Sequence, residues 1–504
     1  MNRRPHPGRR RAAPALALAL ALALGACSSG PDYVRPQPPA GAAAPAFKES
    51  ALWKPAEPAV IDADGRWWKL YGDAELDALV EQADRSNQNL RVAEAQLRQA
   101  RAVAAGARAA GLPSLGYSLA ESRQRAVGSN GISVLGDSHN GGVQAGWEAD
   151  FWGRIRRTAE AAGASAQASA ADLAAARLAL QAALVNDYLQ LRIADRQIDL
   201  YRRTLEGYRK ALALTRSQFK AGVVTRSDVA LAEATLSAAQ AQAVDLDLTR
   251  RQLEHAIAVL QGKTPAEFAL AARPPGSELP APPQIPLALP SQLLERRPDI
   301  AAAERRVAAA NANIGVAQAA YYPRVTLAAS YGDAGPHLGD WLAAPFRVWA
   351  LGATLAGSIF DGGQRDAQVE QARAAFDAAA AAYRQTVLGG FQEVEDNLAA
   401  LGELARERAE QDRAVRASRD SARVLLAQYR AGTANYLAVV VAQNLMLVNE
   451  RSALAIRGRE LAAGVALVKA IGGGWDASAL NDDKPAAAQA DPAATPGAAA
   501  KSDS

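Results

Sequence analysis

The chain has 504 residues, of which 49% are apolar and 6% aromatic, with one cysteine and four scattered histidines. A single cysteine excludes an intrachain disulfide and a multi-cysteine metal site, and no two histidines have metal-ligand spacing. The formal charge of +4 becomes −1 once the N-terminal segment with its five arginines is removed. The sequence has no basic stripe with interleaved aromatic residues, so nothing in it predicts nucleic-acid binding.

The first 26 residues predict an export signal. A basic start is followed by the apolar run 15–24, which as a helix is about 15 Å long and too short to span a bilayer. "LGAC" (24–27) then resembles a bacterial lipobox, in which the cysteine is acylated and becomes the mature N-terminus. The alternative is an ordinary signal-peptidase site with an incidental cysteine. Ser28, rather than aspartate, after Cys27 predicts sorting of the lipid-anchored protein to the outer membrane.

An internal repeat organises the rest of the chain. Residues 86–115 align with 296–325, and 218–236 with 428–446, both at an offset of 210 residues and without a gap. The predicted segments are a signal peptide (1–26), an acylated tether (27–61), repeat 1 (62–271), a Pro-rich equatorial linker (272–290), repeat 2 (291–475) and a disordered tail (476–504).

Each repeat contains two segments in which apolar and polar residues alternate. This pattern predicts transmembrane β-strands, although a half-buried sheet of a soluble protein has the same pattern. The export signal favours the interpretation as transmembrane strands. Four strands cannot close a barrel alone, and unpaired backbone groups in lipid cost several kcal/mol each, so several chains must share one barrel. The segments are "PSLGYSLAE", "VQAGWEADFWG", "PRVTLAASYGD" and "VWALGATLAGSIFD".

Two proline-free stretches, 153–219 and 363–429, predict very long helices. About 65 helical residues span about 100 Å, so these helices must project from a compact domain. An ordinary helical bundle is the alternative. A seven-residue apolar spacing in the first stretch predicts left-handed coiled-coil packing. It consists of Leu184, Leu191, Ile198, Leu205, Leu212 and Phe219.

Together these segments resemble the TolC/OprM-type outer-membrane efflux ducts, in their NodT-like lipoprotein branch. The matching text extends from Cys27 to Gly472, and its most specific part is "LPSQLLERRPDIAAAERRVAAANANIGVAQAAYYPRVTL" (289–327). The resemblance implies an α+β membrane protein that forms a homotrimeric duct. Four transmembrane strands per chain would build one twelve-strand barrel, and the long helices a periplasmic coiled-coil barrel. The implied partners are a periplasmic membrane-fusion adaptor, an inner-membrane RND-type (resistance–nodulation–division) pump and outer-membrane lipid.

The resemblance also implies a periplasmic gate at the turns that end the long helices. Gly222 and Gly432 are expected there as left-handed C′ residues. Asp228 matches a family acid that hydrogen-bonds the tyrosine matched by Tyr429 and helps to keep the tunnel shut. The alternative, which is compatible with that role, makes Asp228 a helix N-cap residue.

The sequence departs from the family pattern at the tunnel constriction. Many relatives carry acids at the positions of Ala438 and Val441, and some carry a basic residue at Ala434. All three positions are apolar here, so we expect an apolar constriction in place of an anionic ring.

The implied function is a passive exit duct for small molecules such as drugs, toxic compounds or metal cations. The sequence shows no nucleophile–base pair, phosphate loop or metal cluster, so it predicts neither an enzyme nor a cofactor. Two alternatives remain open, namely a duct for type I protein secretion and a non-porous structural coiled-coil lipoprotein.

Overall fold

The computed structural model describes residues 29–39, 46–49, 65–127, 131–280, 293–337, 339 and 344–480. The predicted signal peptide, Cys27 and part of the linker lie outside the described residues. The described chain is mostly helical, with one antiparallel sheet. Its main elements are α1 (Ala74–Ser86), α2 (Gln88–Ala109), β1 (Ser114–Val127), β2 (Ser133–Ala149), α3 (Arg154–Lys220), α4 (Arg226–Leu260), α5 (Pro298–Ala319), β3 (Arg324–Gly335), β4 (Arg347–Ala356), α6 (Gln364–Arg430) and α7 (Tyr436–Ala470).

Short helical turns flank the main elements. In the part of the chain that the structure describes, four are 3₁₀ turns and one, Leu293–Arg296, is a single α-helical turn. The 3₁₀ turns are Trp67–Tyr71, Pro265–Glu267, Ala344–Phe346 and Ala477–Leu480.

The tandem repeat is confirmed by the helix boundaries. Helices α5, α6 and α7 begin and end 210 residues after α2, α3 and α4, respectively, without a single shifted boundary. Helices α3 and α6 each have 67 residues and are therefore about 100 Å long. The two halves of the chain are thus copies of one helix–hairpin–helix–helix unit.

Each repeat closes through a glycine that follows its last helix. Gly262 (φ +67°) follows α4, and Gly472 (φ +93°) follows α7. A Cβ atom at Gly262 would lie 2.5 Å from the Ser86 carbonyl oxygen, and one at Gly472 would lie 1.9 Å from the Arg296 carbonyl oxygen. Both positions therefore require glycine for backbone conformation and for close approach.

A side chain next to each contact secures the closure. Asn87 Nδ2 donates to the Leu260 carbonyl at 3.0 Å, and Arg297 Nη1 donates to the Ala470 carbonyl at 2.9 Å. These are equivalent positions of the two repeats, so different side chains satisfy the same helix C-terminus.

The four strands form one sheet in the order β1-β2-β3-β4, and every pair is antiparallel. Strands β1 and β4 are the two edges, and neither has a partner within the described chain. The four strands predicted from the sequence are confirmed. Phe151 and Ile359, which continue the apolar alternation of the predicted segments "VQAGWEADFWG" and "VWALGATLAGSIFD", lie beyond the ends of β2 and β4 because the chain turns toward α3 and α6 there.

Helix packing changes along α3 and α6. Near the sheet, α3 packs between α2 and α5, and α5 packs against α6; farther away, α3 packs against α4 and α7, and α7 packs against α6. Leu184, Leu191, Leu205 and Leu212 of the predicted heptad are buried, whereas Phe219 at the far end is 41% exposed. Ile198 is half-buried, so the apolar spacing forms a seam that is incomplete at Ile198 and absent at the helix tip.

The predicted tether is docked onto the helices where it is described. Arg157, 8% exposed, binds the Asp32 carboxylate at 2.9 Å and the Ser29 carbonyl at 3.2 Å. Phe47 is buried, and the Glu395 carboxylate accepts bonds from the backbone that follows it. The Arg157 contacts hold an N-terminal strap (29–39) along the repeats, and the Phe47 and Glu395 contacts hold residues 46–49.

The predicted disordered tail begins with folded residues. Residues 477–480 form a 3₁₀ turn, and Asp476 Oδ1 accepts a bond from Ser478 N at 2.8 Å. Leu480 packs beside buried alanines of α3 and α5, which explains the order of this turn. The rest of the tail lies outside the described residues.

Candidate functional site

The sheet has one continuous apolar face. Its strand register brings the alternating apolar residues of all four strands to the same side, as the sequence predicted. The opposite side carries polar residues, among which Ser118 Oγ donates to Gln144 Oε1 at 3.3 Å. The apolar face consists of Leu115, Tyr117, Leu119, Val143, Ala145, Trp147, Ala149, Val325, Leu327, Ala329, Tyr331, Trp349, Leu351, Ala353 and Leu355.

An aromatic row marks one limit of this face. Tyr117, Tyr331 and Trp349 lie at the same level and are 80%, 52% and 76% exposed. The next row contains the cross-strand partners Asp333 and Arg347. Aromatic residues followed by charges are typical of a membrane–water interface, so the face has the properties of a lipid-contacting surface.

At the other end of the molecule, two tight turns join the long helices. Gly222 has φ +72° and donates to the Phe219 carbonyl, while Val223 N donates to the Gln218 carbonyl at 2.9 Å. Gly432 (φ +77°) closes α6 with the same bond pattern. Both turns are Schellman motifs with glycine at C′, as predicted, and a Cβ atom at either glycine would meet nothing within 4 Å.

Asp228 belongs to a capping box. Thr225 is the N-cap residue of α4, and Asp228, three residues later, accepts the Thr225 backbone N–H at 2.9 Å. The Thr225 hydroxyl lies 2.8 Å from the same carboxylate oxygen. The prediction that Asp228 is a helix N-cap residue is therefore wrong, because Thr225 is the N-cap residue of α4 and Asp228 lies at N3. Within the protomer, Asp228 makes no hydrogen bond to Tyr429.

Tyr429 is buried between the two hairpins. Its hydroxyl donates to Gln218 Oε1 and lies 3.3 Å from Thr215 Oγ1. Its ring packs against Tyr436 with the centroids 5.5 Å apart. Burial, together with the nearby Tyr429 and Asp228, raises the pKa of Tyr436 to about 12. The tip is therefore a buried tyrosine pair bonded to the end of α3.

Sequence reasoning missed Gln218 and Thr215 as the partners of Tyr429. Gln218 matches Gln428 in the repeat, and that match concealed its individual role. Thr215 is fully buried, and its hydroxyl group also donates a hydrogen bond to the Ala211 carbonyl of the same helix at 3.0 Å. No sequence pattern distinguishes this threonine from other helical residues.

The three predicted constriction residues have different environments. Ala434 lies in the turn before α7 and Ala438 in the first helical turn, and both are half-buried. The Ala438 backbone donates to Asn435 Oδ1, which caps α7. Val441 is 59% exposed on α7. No group of three or more potential metal ligands occurs in the residues that the structure describes.

The sheet, the paired long helices and the tandem repeat together define a recognisable protein family. The sequence matches the outer membrane efflux protein family over residues 79–263 and 289–473, one match for each repeat. The chain belongs to the outer membrane efflux protein family.

Individual relatives support this membership over nearly the whole chain. The chain is 32% identical over 462 residues to the pyoverdine export outer membrane protein OpmQ of Pseudomonas putida, covering 90% of this chain and 95% of OpmQ. It is 31% identical to the toluene efflux pump outer membrane protein TtgC of Pseudomonas putida, covering 90% of this chain and 93% of TtgC. The solved outer-membrane channel OprN superposes with a TM-score of 0.82 at 32% identity, covering 89% of this chain and all of OprN.

These findings confirm the predicted family, the fold class and the location in the outer membrane. As an outer membrane efflux protein, the chain acts in transport across that membrane. The apolar face of the sheet is accordingly its lipid-facing surface, and the long helices extend into the periplasm.

Proposed function

We propose that three copies of this chain form the passive outer-membrane exit duct of a tripartite efflux system. The observation that carries the proposal is a four-stranded sheet with one apolar face and two edges that have no strand partner among the residues described. Backbone groups at such edges must find partners within lipid, and three copies supply twelve strands, enough for a closed barrel.

The helices supply the rest of the duct. A length of about 100 Å carries the tip far into the periplasm, where a membrane-fusion adaptor and an inner-membrane RND-type pump are the expected partners. The duct itself is not an enzyme and needs no cofactor, since the pump supplies the energy. OpmQ is named for pyoverdine export and TtgC for toluene efflux, so the proposed cargo is small organic molecules.

The periplasmic tip is the proposed gate. Gly222 and Gly432 shape the two turns, while Tyr429 holds the hairpins together in each protomer. Asp228 is proposed to help keep the tip shut, as the family acid at this position does, although its carboxylate is bonded to Thr225 in this structure. The apolar residues Ala434, Ala438 and Val441 are proposed to replace an anionic ring at the constriction.

Cys27 is the proposed lipid attachment point. Ser29 N donates to the Trp152 carbonyl at 3.1 Å, directly below the sheet. A docked Ser29 keeps a lipid on Cys27 close to the periplasmic leaflet, because two residues span at most about 7 Å. Labelled palmitate that incorporates into the wild type but not into Cys27→Ser would support the anchor, and equal incorporation into both would exclude it.

The decisive experiment combines oligomer mass with conductance. The detergent-purified protein should have the mass of a trimer and should produce discrete conductance steps in a planar bilayer. An intact oligomer without conductance, including in variants that weaken the tip, would favour a structural coiled-coil lipoprotein. A monomer would contradict the shared barrel.

A further inference from the structure

A cavity of about 380 Å³ lies between helices α3 and α4 and the start of the Pro-rich linker, residues 272–280. Its linker side is apolar and includes Pro274, Pro275, Leu279 and Pro280. Its helix side is charged, with arginines and acids of α3 and α4. Small-molecule sites of proteins have this size and combine apolar walls with a few polar groups, so the cavity is large enough for an organic ligand.

Two arginine donors in the helix side have no hydrogen-bond acceptor. Arg192 Nε and Arg196 Nη1 are both buried, and neither bonds to any residue that the structure describes. Arg192 is 2% exposed, and its other nitrogens donate to Glu75, Asp195 and the Ala271 carbonyl. Arg196 makes no ion pair in the described part of the chain. Buried donors are nearly always paired in folded proteins, so these two indicate a place for an acceptor.

The spacing of the two arginines strengthens this indication. Arg192 and Arg196 are one helical turn apart, where Cβ atoms lie about 6 Å from each other and like charges repel. The acids beside them on α3 already have partners, since Asp195 binds Arg192 and Arg250, and Asp199 binds a different arginine of α3. An anion within reach of Arg196 would satisfy its donor and reduce the repulsion.

The charges of the wall favour a ligand with a single negative charge. Five arginines and four acids line the cavity, so its surplus is one positive charge. Two of the acids, Asp247 and Glu278, form no ion pair with a described residue and would repel a second negative charge. The next linker residues, 281–292, lie outside the described residues and contain no acidic side chain. An organic carboxylate therefore fits the cavity better than phosphate or sulfate.

The cavity is built within one protomer. Helices α4, α3, α7 and α6 pack side by side in this order, so further copies of the chain can extend the layer only beside α4 and α6. The linker crosses the layer over α3. The Leu270 carbonyl accepts from Arg250 of α4, and the Pro280 carbonyl accepts from Arg457 of α7 at 2.8 Å. The cavity therefore lies on a face of the layer, under the linker, and remains in an assembly of several copies.

We propose that this cavity binds a small organic acid. The carboxylate accepts a hydrogen bond from Arg196 Nη1, with Arg192 Nε as a second donor in the same wall, and the apolar body of the acid packs against the prolines of the linker. Hydrogen bonds between guanidinium and carboxylate groups are among the strongest in proteins, and a low local dielectric strengthens them. The bound acid connects the linker with α3 and α4. The inference goes beyond the proposed duct, because no part of it uses conduction.

The first test measures the chemistry of the ligand. Isothermal titration of the detergent-purified full-length protein with 1-naphthoate should show one site per protomer. The neutral 1-naphthalenemethanol and inorganic sulfate should each bind at least about tenfold more weakly, because the first lacks the charge and the second lacks the apolar body. Equal affinity for the alcohol or for sulfate, or no binding of 1-naphthoate, would overturn the inference.

The second test removes the unpaired arginine. Arg196→Gln should lower the affinity for 1-naphthoate roughly 10- to 150-fold, which corresponds to the loss of one hydrogen bond between charged groups. Without ligand, the melting temperature of this variant should not fall, because Arg196 has no partner in the described chain and its charge repels Arg192. Arg209→Gln is the matched control, since Arg209 is an exposed arginine of the same helix outside the cavity.

Three results of this second test would contradict the site. They are wild-type affinity in Arg196→Gln, an equal loss of affinity in Arg209→Gln, and a lower melting temperature of Arg196→Gln without ligand, which would show that the chain itself occupies the donor. An oligomer without conductance would contradict the proposed duct and would leave both binding tests unaffected.

Discussion

Replacing Tyr429 with phenylalanine removes one buried hydroxyl group and leaves the ring packing intact. The hydroxyl bonds to Gln218 and lies 3.3 Å from Thr215 Oγ1, which retains its bond to the Ala211 carbonyl at 3.0 Å. The substitution therefore leaves one polar group, on Gln218, without its partner. The expected loss is about 1–2 kcal/mol. If opening breaks these bonds, the ratio of open to closed tips should rise roughly 5- to 30-fold.

Single-channel recording measures this change as open probability. Gln218→Leu should raise the open probability in the same direction, because it removes the acceptor from the same bond. Phe219→Leu is the matched control: Phe219 occupies the position of Tyr429 in the first repeat but is 41% exposed. Wild-type open probability in both Tyr429→Phe and Gln218→Leu, with intact trimers, would show that this hydroxyl does not hold the tip closed.

Three further predictions concern stability and assembly. Gly222→Ala should lower the free energy of unfolding by about 1–2 kcal/mol because of the positive φ alone. Gly472→Ala adds a backbone clash and should lower it by more than about 4 kcal/mol. Equal thermal stability of the two trimers would contradict this difference. Leu351→Arg, inside the lipid-facing band, should cost about 2–4 kcal/mol. Leu119→Arg, beyond the aromatic row and in the same row as Asp333 and Arg347, should cost about 0–1 kcal/mol. Both costs are measured as assembled trimer in outer-membrane fractions, and equal yields would refute the assigned boundary. Tyr436 has a pKa of about 12 in the folded chain and 10.0 as its ordinary value, so its stabilisation is complete below pH 10 and lost between pH 10 and 12. Tyr436→Phe should flatten the decline of thermal stability in that window, and an unchanged slope would refute it.

The architecture was predictable because two independent periodicities agreed. The alternation of apolar residues predicted all four strands, and the 210-residue offset predicted that the second repeat has the same elements as the first. The glycines of the two turns were also predictable from local sequence, since Gly222 and Gly432 have the positive φ that a helix C′ position favours. Such features depend on residues close in sequence, which a single chain displays directly.

Contacts between distant segments were not predictable in this way. The N-terminal strap has the Pro-rich composition of a free linker, yet Tyr33 hydrogen-bonds Glu304 and Asn311 Nδ2 donates to the Pro31 carbonyl at 2.9 Å. For Asp228 the sequence offered two interpretations, a bond to Tyr429 and a helix N-cap, and the structure pairs its carboxylate with Thr225 instead. These outcomes depend on three-dimensional proximity rather than on local propensity.

The tip also shows why duplication misleads about function. Both hairpins have helices of equal length and the same Schellman turn, so their backbones are equivalent. Their side chains are not: Phe219 is exposed where Tyr429 is buried, and Arg226 stands where Tyr436 packs.

Because of this asymmetry, the two hairpins contribute differently to the tip. The α3–α4 hairpin supplies the acceptor for the tyrosine, while the α6–α7 hairpin contributes the tyrosine pair. If the gate opens by separating the hairpins, the bond between Tyr429 and Gln218 must break first. Tyr429→Phe should then raise open probability without changing unitary conductance, because the hydroxyl group holds the closed tip and does not set the width of the open one. A change of unitary conductance in Tyr429→Phe, with open probability unchanged, would refute this role of the bond.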